Sequence, residues 1–418
     1  MTKYTVVNRS RCRLCAGADL VRFMHFDAVP FFDEVVTREN RGSEFSYPME
    51  IHFCRSCASV QTQHDVNLHE YYHTYQYTAS KSPFIRSYMR KLVDHSVDVL
   101  GLKPGDKAIE IGAADGYLLS LYQQRGLDTL GFEAAGNLCQ LAQENGVTVI
   151  NDLFTRESIG LIPPAFAKAQ LIVLLHTFDH LYDPAPFLET VREVLDDEQG
   201  ILLLEVHDLQ DIHAKHETAL FGHEHATYLH YGSMKRFLER HGLRMIDFNF
   251  LPKQVCRGSS MLIAATPQGS RLAPVKDLSV FADPKLDELS TFMAFQEDVA
   301  RSYANLRAYI ETRRRSGKRF AGYGGWGRGV TTLAMAGLTD RHLEFVVDGN
   351  PGLHGCYTPV TEFEIVGPEA VTRAAVDEVV VFNYAYISEI RDTLSGFIAD
   401  GGRVHSVIDL LAQADSGA

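Results

Sequence analysis

Long uncharged apolar runs are missing from this 418-residue sequence. No window of about 18 such residues occurs, so no membrane-spanning helix is expected. The opening stretch MTKYTVVNRSRCRLC lacks the continuous apolar core of a secretory leader, and the expected location is the cytoplasm. An excess of positive charge is missing too. Lys and Arg number 40 against 53 Asp and Glu, a net charge of -13. That balance argues against a general nucleic-acid binder and against an anionic membrane surface as partner. Short-period repeats and low-complexity tracts are absent. Seven cysteines are few for the length, and in a reducing compartment they are not expected to form disulfides. What is present is an ordinary globular composition, 45% hydrophobic and 22% charged. The length suits roughly two to four domains.

The first 80 residues hold two C-x-x-C pairs, Cys12 with Cys15 and Cys54 with Cys57. Four soft thiolates can surround one zinc ion, and a small segment with little apolar sequence gains folding free energy from it. Four protein ligands leave no open position, so this zinc is expected to be structural. Residues 81–267 alternate strand and helix patterns, which predicts an open, mostly parallel sheet. Residues 268–418 begin with a long helical pattern over about 284–315 and then repeat the alternation on a smaller scale. The expected fold is α/β: an N-terminal zinc-binding domain, a central Rossmann-like domain and a smaller C-terminal Rossmann-like domain.

In the central part the turn EIGAADG joins a strand to a helix and carries Glu110, Gly112, Asp115 and Gly116. It is not the G-x-G-x-x-G of dinucleotide folds. It resembles the S-adenosylmethionine (SAM) turn of class I methyltransferases, in which glycine lets the backbone approach the ligand. A carboxylate at Glu110 suits the ammonium of SAM. Glu133, at the end of the next strand, suits ribose hydroxyls.

Several acid–base candidates follow the later strands: His176, Asp179 and His180 in HTFDH, Glu205, His207 and Asp208 in EVHD, and His223, Glu224, His225 and His230 in FGHEHATYLHYGS. Ligands in open α/β sheets sit beyond the carboxyl ends of the strands, so these stretches are where chemistry is expected. Acid–base work is favoured over metal binding, because H-E-H on a loop is not the helical H-E-x-x-H pattern. A metal held by His223 and His225 with Glu205, His207 or His180 is the alternative. His207 and His216 taken singly are expected to be packing residues. In the C-terminal part GYGGWGRG precedes a helix, and Gly324 with Arg328 suits a diphosphate. The same loop contains G-x-G-x-x-G from Gly322, which keeps a nicotinamide cofactor open, with Asp348 as its ribose acid.

Taken together, CRLC…CRSC, YHTYQYTASKS, EIGAADGYLL, HTFDHLYDP, GHEHATYLHYGS and GYGGWGRGVTTL…VVDGNPGLHG resemble the sugar C-methyltransferases of deoxysugar biosynthesis, including the tetronitrose C-3 enzymes. The resemblance implies SAM as cofactor and a thymidine-diphosphate 4-keto sugar as substrate. A C-terminal domain would help to hold the nucleotide sugar. It also implies that His225 is the base, with Glu224 and His180 assisting, and that His223 and Tyr228 lie with the substrate. The chain departs from the family at Gly222, which replaces a tyrosine, and at Ala114 and His176, which replace asparagines. Tyr75, Tyr77 or Tyr228 is expected to supply the missing phenol. Rival readings are a methyltransferase on another activated small molecule, a nicotinamide-dependent epimerase or dehydrogenase, and a non-catalytic zinc-containing binding module. The expected partner is a small-molecule nucleotide sugar; the oligomeric state is open, with a monomer the simplest case.

Overall fold

The computed structural model describes residues 4–32, 34–68 and 78–412. The first part contributes β1 (Val6–Asn8), β2 (Leu20–Pro30), β3 (Ser46–Cys54), β4 (Val60–Thr62) and β5 (His64–Val66). Strands β2, β3 and β4 pair antiparallel, and β1 pairs with β5.

The central part runs α1 (Pro83–Asp98), β6 (Lys107–Ile111), α2 (Tyr117–Gln124), β7 (Asp128–Phe132), α3 (Gly136–Glu144), β8 (Val149–Ile150), β9 (Leu171–Leu175), α4 (Pro184–Val194), β10 (Ile201–His207), α5 (Leu209–Lys215), β11 (Thr227–Tyr228), α6 (Tyr231–Arg240), β12 (Leu243–Phe248) and β13 (Ser260–Pro267). Its seven-stranded sheet has the order β12-β13-β10-β9-β6-β7-β8. The neighbours from β10 to β8 are parallel, and β13 is antiparallel to both β10 and β12. Burial on both faces explains the unbroken apolar runs. Leu202, Leu204 and Val206 enter one core and Ile201 and Leu203 the other, the period of two expected of a strand. The expected open, mostly parallel sheet is present, and LRMIDF and SMLIAATP close it as an antiparallel pair.

Strand β11 leaves this part and adds to β4 as the fourth strand of the N-terminal sheet. Segment 81–267 is therefore not self-contained.

The last part runs α7 (Leu289–Arg315), β14 (Phe320–Tyr323), α8 (Arg328–Met335), β15 (Val346–Val347), β16 (Ile365–Val366), β17 (Glu378–Val381), α9 (Ile387–Thr393), α10 (Ser395–Ala399), β18 (Arg403–Ser406) and α11 (Val407–Ala412). Its five strands are all parallel, in the order β16-β15-β14-β17-β18. Helix α7 buries Phe292, Phe295, Val299, Tyr303, Leu306 and Ile310, a stripe at helical spacing. That stripe faces Phe23 and Phe53 of the N-terminal sheet and shares one core with Phe320, Val346 and Val380 of the last sheet. The first and last parts are thus packed on each other. No described helix is long and apolar enough to cross a membrane.

Candidate active site

Each C-x-x-C pair folds into the same knuckle. Ala16 and Ala58, the residues after each pair, take φ of 56° and 54°. Their amides donate to Cys12 O at 2.9 Å and Cys54 O at 2.8 Å. The knuckles meet with Cys12 Sγ 3.6 Å from Cys57 Sγ and Cys15 Sγ 3.6 Å from Cys54 Sγ. Sulfurs held about 2.3 Å from one tetrahedral zinc stand roughly 3.8 Å apart, so the four cysteines fit a structural zinc ion.

A cavity of about 550 Å³ opens where the three parts meet. One end is the EIGAADG turn. Gly112, Ala114 and Gly116 have φ of 76°, 46° and 75°. At Gly112 a Cβ would stand 2.5 Å from Thr177 Oγ1, so the turn tolerates no side chain there. Glu110 lines the cavity, and its Oε2 is buried with no hydrogen-bond partner. Burial, with Asp115 and Glu133 nearby, pushes its carboxyl well above the usual range. A cation is what such a group lacks, and the ammonium of SAM supplies one. Glu133 also lines the cavity while accepting from the amides of Ala114 and Ala135, each at 2.8 Å. Asp115 is held by the hydroxyl of Ser80. Gly116 caps α2 and does not reach the cavity wall. A Cβ on it would press on Val147 and Ala142, so its role is packing.

The other end holds His180, Glu224 and His225. His225 Nδ1 bonds Leu220 O at 2.9 Å. Its ring packs 4.9 Å from His180 and 4.5 Å from His207, centroid to centroid. Burial pushes His180 down to about 4. Glu224 accepts from the amide of Phe32 at 2.7 Å. Gly222 explains why Phe32 is there: a Cβ on Gly222 would sit 2.3 Å from the Phe32 ring. The phenylalanine at the end of the N-terminal sheet fills the space that a side chain on residue 222 would take and walls His225 with an apolar ring. Nothing near Gly222 in the sequence signals this, because the filler lies 192 residues from Glu224.

Several expectations meet a different arrangement. His223 points away from the cavity. Its Nδ1 is 2.7 Å from His64 Nε2, its Nε2 is 2.8 Å from Val29 O, and Phe31, Phe45 and Tyr47 surround it. Tyr228 is fully buried and its hydroxyl ties Gly222 N, at 2.9 Å, to His225 O, at 3.1 Å. It shapes the turn that carries His225 and does not supply a phenol to the cavity. Gly324 has φ 113° and abuts Asn383, serving the turn rather than the cavity wall. Arg328 does line the cavity, but its Nη1 is paired with Glu217 at 2.9 Å. Asp348 spends its carboxylate on the amides of Gly325, at 3.0 Å, and Asn350, at 2.9 Å. Tyr75 and Tyr77 lie outside the described residues. Conversely His207, expected to pack, is a wall of the cavity, and so are Phe32, Arg257, Trp326 and Tyr386. His216, also expected to pack, bonds Ser302 at 2.7 Å.

Residues 12–72 match a family described as a zinc binding domain, 85–247 a methyltransferase domain, and 258–408 the C-methyltransferase C-terminal domain. The C-methyltransferase NovU of Streptomyces niveus is 28% identical over 397 residues, 94% of each chain. Among solved structures, a SAM-dependent methyltransferase from Archaeoglobus fulgidus aligns with 14% identity and a TM-score of 0.36, over 43% of this chain and 93% of that one. Magnesium protoporphyrin IX methyltransferase from Synechocystis PCC 6803 with bound SAM aligns with 14% identity and a TM-score of 0.33, over 47% and 87%.

Proposed function

We propose, from the premise that this chain belongs to the three-part SAM-dependent C-methyltransferases, that it methylates a ring carbon beside the ketone of a nucleotide-activated keto-deoxysugar. The leading acceptor is a thymidine-diphosphate 4-keto sugar. SAM, when bound, supplies a methyl group made electrophilic by its sulfonium. Glu110 and Gly112 would hold its amino-acid end and Glu133 its ribose.

A ring carbon is not a nucleophile until it loses a proton, and a neighbouring ketone makes that loss accessible by taking the charge as an enolate. His225 is the group that takes the proton. The observation that carries this reading is the bond from His225 Nδ1 to the Leu220 carbonyl. A carbonyl only accepts, so Nδ1 keeps its hydrogen and Nε2 keeps a lone pair. Burial, with His207 and His180 alongside, holds His225 well below the ordinary imidazole range. It is therefore neutral at physiological pH, with the Nε2 lone pair available to accept a proton. His180 is neutral for the same reason, and its ring bonds the backbone of Glu224, which fixes it beside His225. Glu224, anchored by the Phe32 amide, would orient sugar hydroxyls.

Calorimetric titration of thymidine diphosphate into protein saturated with S-adenosylhomocysteine tests the acceptor class. Saturable binding, with weaker binding of adenosine diphosphate, is the expected result. Absence of thymidine-diphosphate binding, with the homocysteine product still bound, would move the acceptor to another class.

A further inference from the structure

One group in the cavity is built beyond what a proton transfer needs. His176 follows β9 with φ 50°, a backbone conformation uncommon for a residue other than glycine. Its Nε2 is 3.1 Å from Ser260 Oγ and 3.3 Å from Glu205 Oε1. Glu205 is itself gripped by Arg257. That outer set fixes the ring and leaves Nδ1 facing inward, toward Asp179 Oδ2 at 3.5 Å. His207, the last residue of β10, brings its Nδ1 to 3.0 Å from the same carboxylate oxygen.

Neither Nδ1 makes a hydrogen bond, although both are buried. A ring N–H lies in the plane of the imidazole. Asp179 Oδ2 takes the backbone amide of His207 at 3.2 Å, and each Nδ1 stands beside that oxygen without closing a hydrogen bond to it. Two imidazole nitrogens and one carboxylate oxygen that converge without bonding one another are arranged as ligands of a shared ion. Ligands about 2.1 Å from a metal stand roughly 3.0 Å apart at right angles and about 3.4 Å apart in a tetrahedron. The measured separations of 3.0 and 3.5 Å match, and all three ligand atoms lie within 4.8 Å of one another. The Glu205 carboxylate on the far nitrogen of His176 is the partner a metal-bound histidine ordinarily has.

We propose that His176, Asp179 and His207 form a binding site for a divalent first-row transition metal, distinct from the zinc at the four cysteines. Two histidines and one carboxylate leave coordination positions open. His176 and His207 line the cavity, with Asp179 buried behind them, and the ring of His207 is 4.5 Å from that of His225. A metal there is placed to receive an oxygen of the acceptor and polarise it. This last role rests on the proposed function; the binding site does not. The metal option weighed on the sequence drew on His223, which the fold removes to another pocket, so the ligand set is a different one.

The test uses the full-length, zinc-loaded chain and Co²⁺ as probe. Calorimetry and atomic analysis should find one Co²⁺ bound beyond the zinc. Visible d–d absorption should appear without the thiolate charge-transfer bands that exchange at the cysteines would give. His207→Ala and His176→Ala should each remove this equivalent, and Glu205→Gln should weaken it roughly 10- to 100-fold. S-adenosylhomocysteine binding by each variant reports that the central domain is still folded. Cobalt bound equally well by the two alanine variants would overturn the proposal. So would a wild-type chain that takes up no metal beyond its zinc from Co²⁺, Zn²⁺ or Ni²⁺. Neither result depends on which acceptor the enzyme uses.

Discussion

His225 and Glu224 are neighbours in the chain, yet different parts of the protein hold them. The imidazole is oriented by Leu220 within its own loop, whereas the carboxylate is held by the amide of Phe32 at the end of the N-terminal sheet. This division has a consequence for mutagenesis. Removing the imidazole deletes the base but leaves the SAM turn untouched, because Glu110 in β6, and Gly112 and Glu133 just after β6 and β7, lie at the other end of the cavity. His225→Ala should therefore lower kcat roughly 10²- to 10⁴-fold, the usual contribution of a general base, with S-adenosylhomocysteine affinity unchanged. Turnover at the wild-type rate would remove His225 from the mechanism. The residue types of this pair were legible in the sequence. Phe32 was not, since its place is dictated by a glycine whose missing side chain creates the space.

At the scale of elements, β11 decides where its neighbours point. By pairing with β4, it draws the preceding loop across the N-terminal sheet. His223 then packs on His64 of β5, and His225 faces the cavity. The sequence shows two histidines flanking one glutamate. Only the strand pairing reveals that they serve opposite sides, and two-residue strands such as β11 carry too little pattern to be read from sequence. The buried pair makes a pH prediction. Burial, reinforced for His64 by the Arg13 cation, lowers it to about 4; burial and His64 lower His223 to about 3. Both pKa values are depressed on folding, so their contribution to stability is complete above the ordinary imidazole pKa of about 6.5. It falls as pH drops below that value, because the unfolded chain takes up protons that the folded chain refuses. Each histidine adds a slope of up to about 1.4 kcal/mol per pH unit between its unfolded and folded pKa. Denaturant midpoints measured from pH 7.5 to 5 should fall less steeply for His223→Gln than for the wild type. Parallel slopes would show that the pair stays out of the acid response.

Across the whole molecule, the order of the three parts was legible because each has its own signature: paired cysteines, a SAM turn, and a second strand–glycine–helix unit. Their mutual packing was not, because residues that meet are far apart in sequence and each part alone has an ordinary amphipathic pattern. The zinc knuckles flank β2 and β3, whose inner face shares a core with α7 and the C-terminal sheet. Strand β2 then runs on to Phe32, which walls His225, holds Glu224 and accepts from the amide of Gly327 at 2.8 Å. None of the four cysteines lines the cavity, yet the strands they flank lead to one of its walls. Zinc-site loss should therefore act on the reaction through architecture. Cys54→Ser, at the end of β3, should release zinc and lower the thermal midpoint. It should also reduce turnover while the central sheet continues to bind S-adenosylhomocysteine. Zinc content, calorimetric binding and activity measured on the same preparation separate the cases. Loss of cofactor binding together with zinc would mean that the three parts unfold as one unit. Full activity without zinc would mean that β2 and Phe32 keep their places by packing on α7 alone.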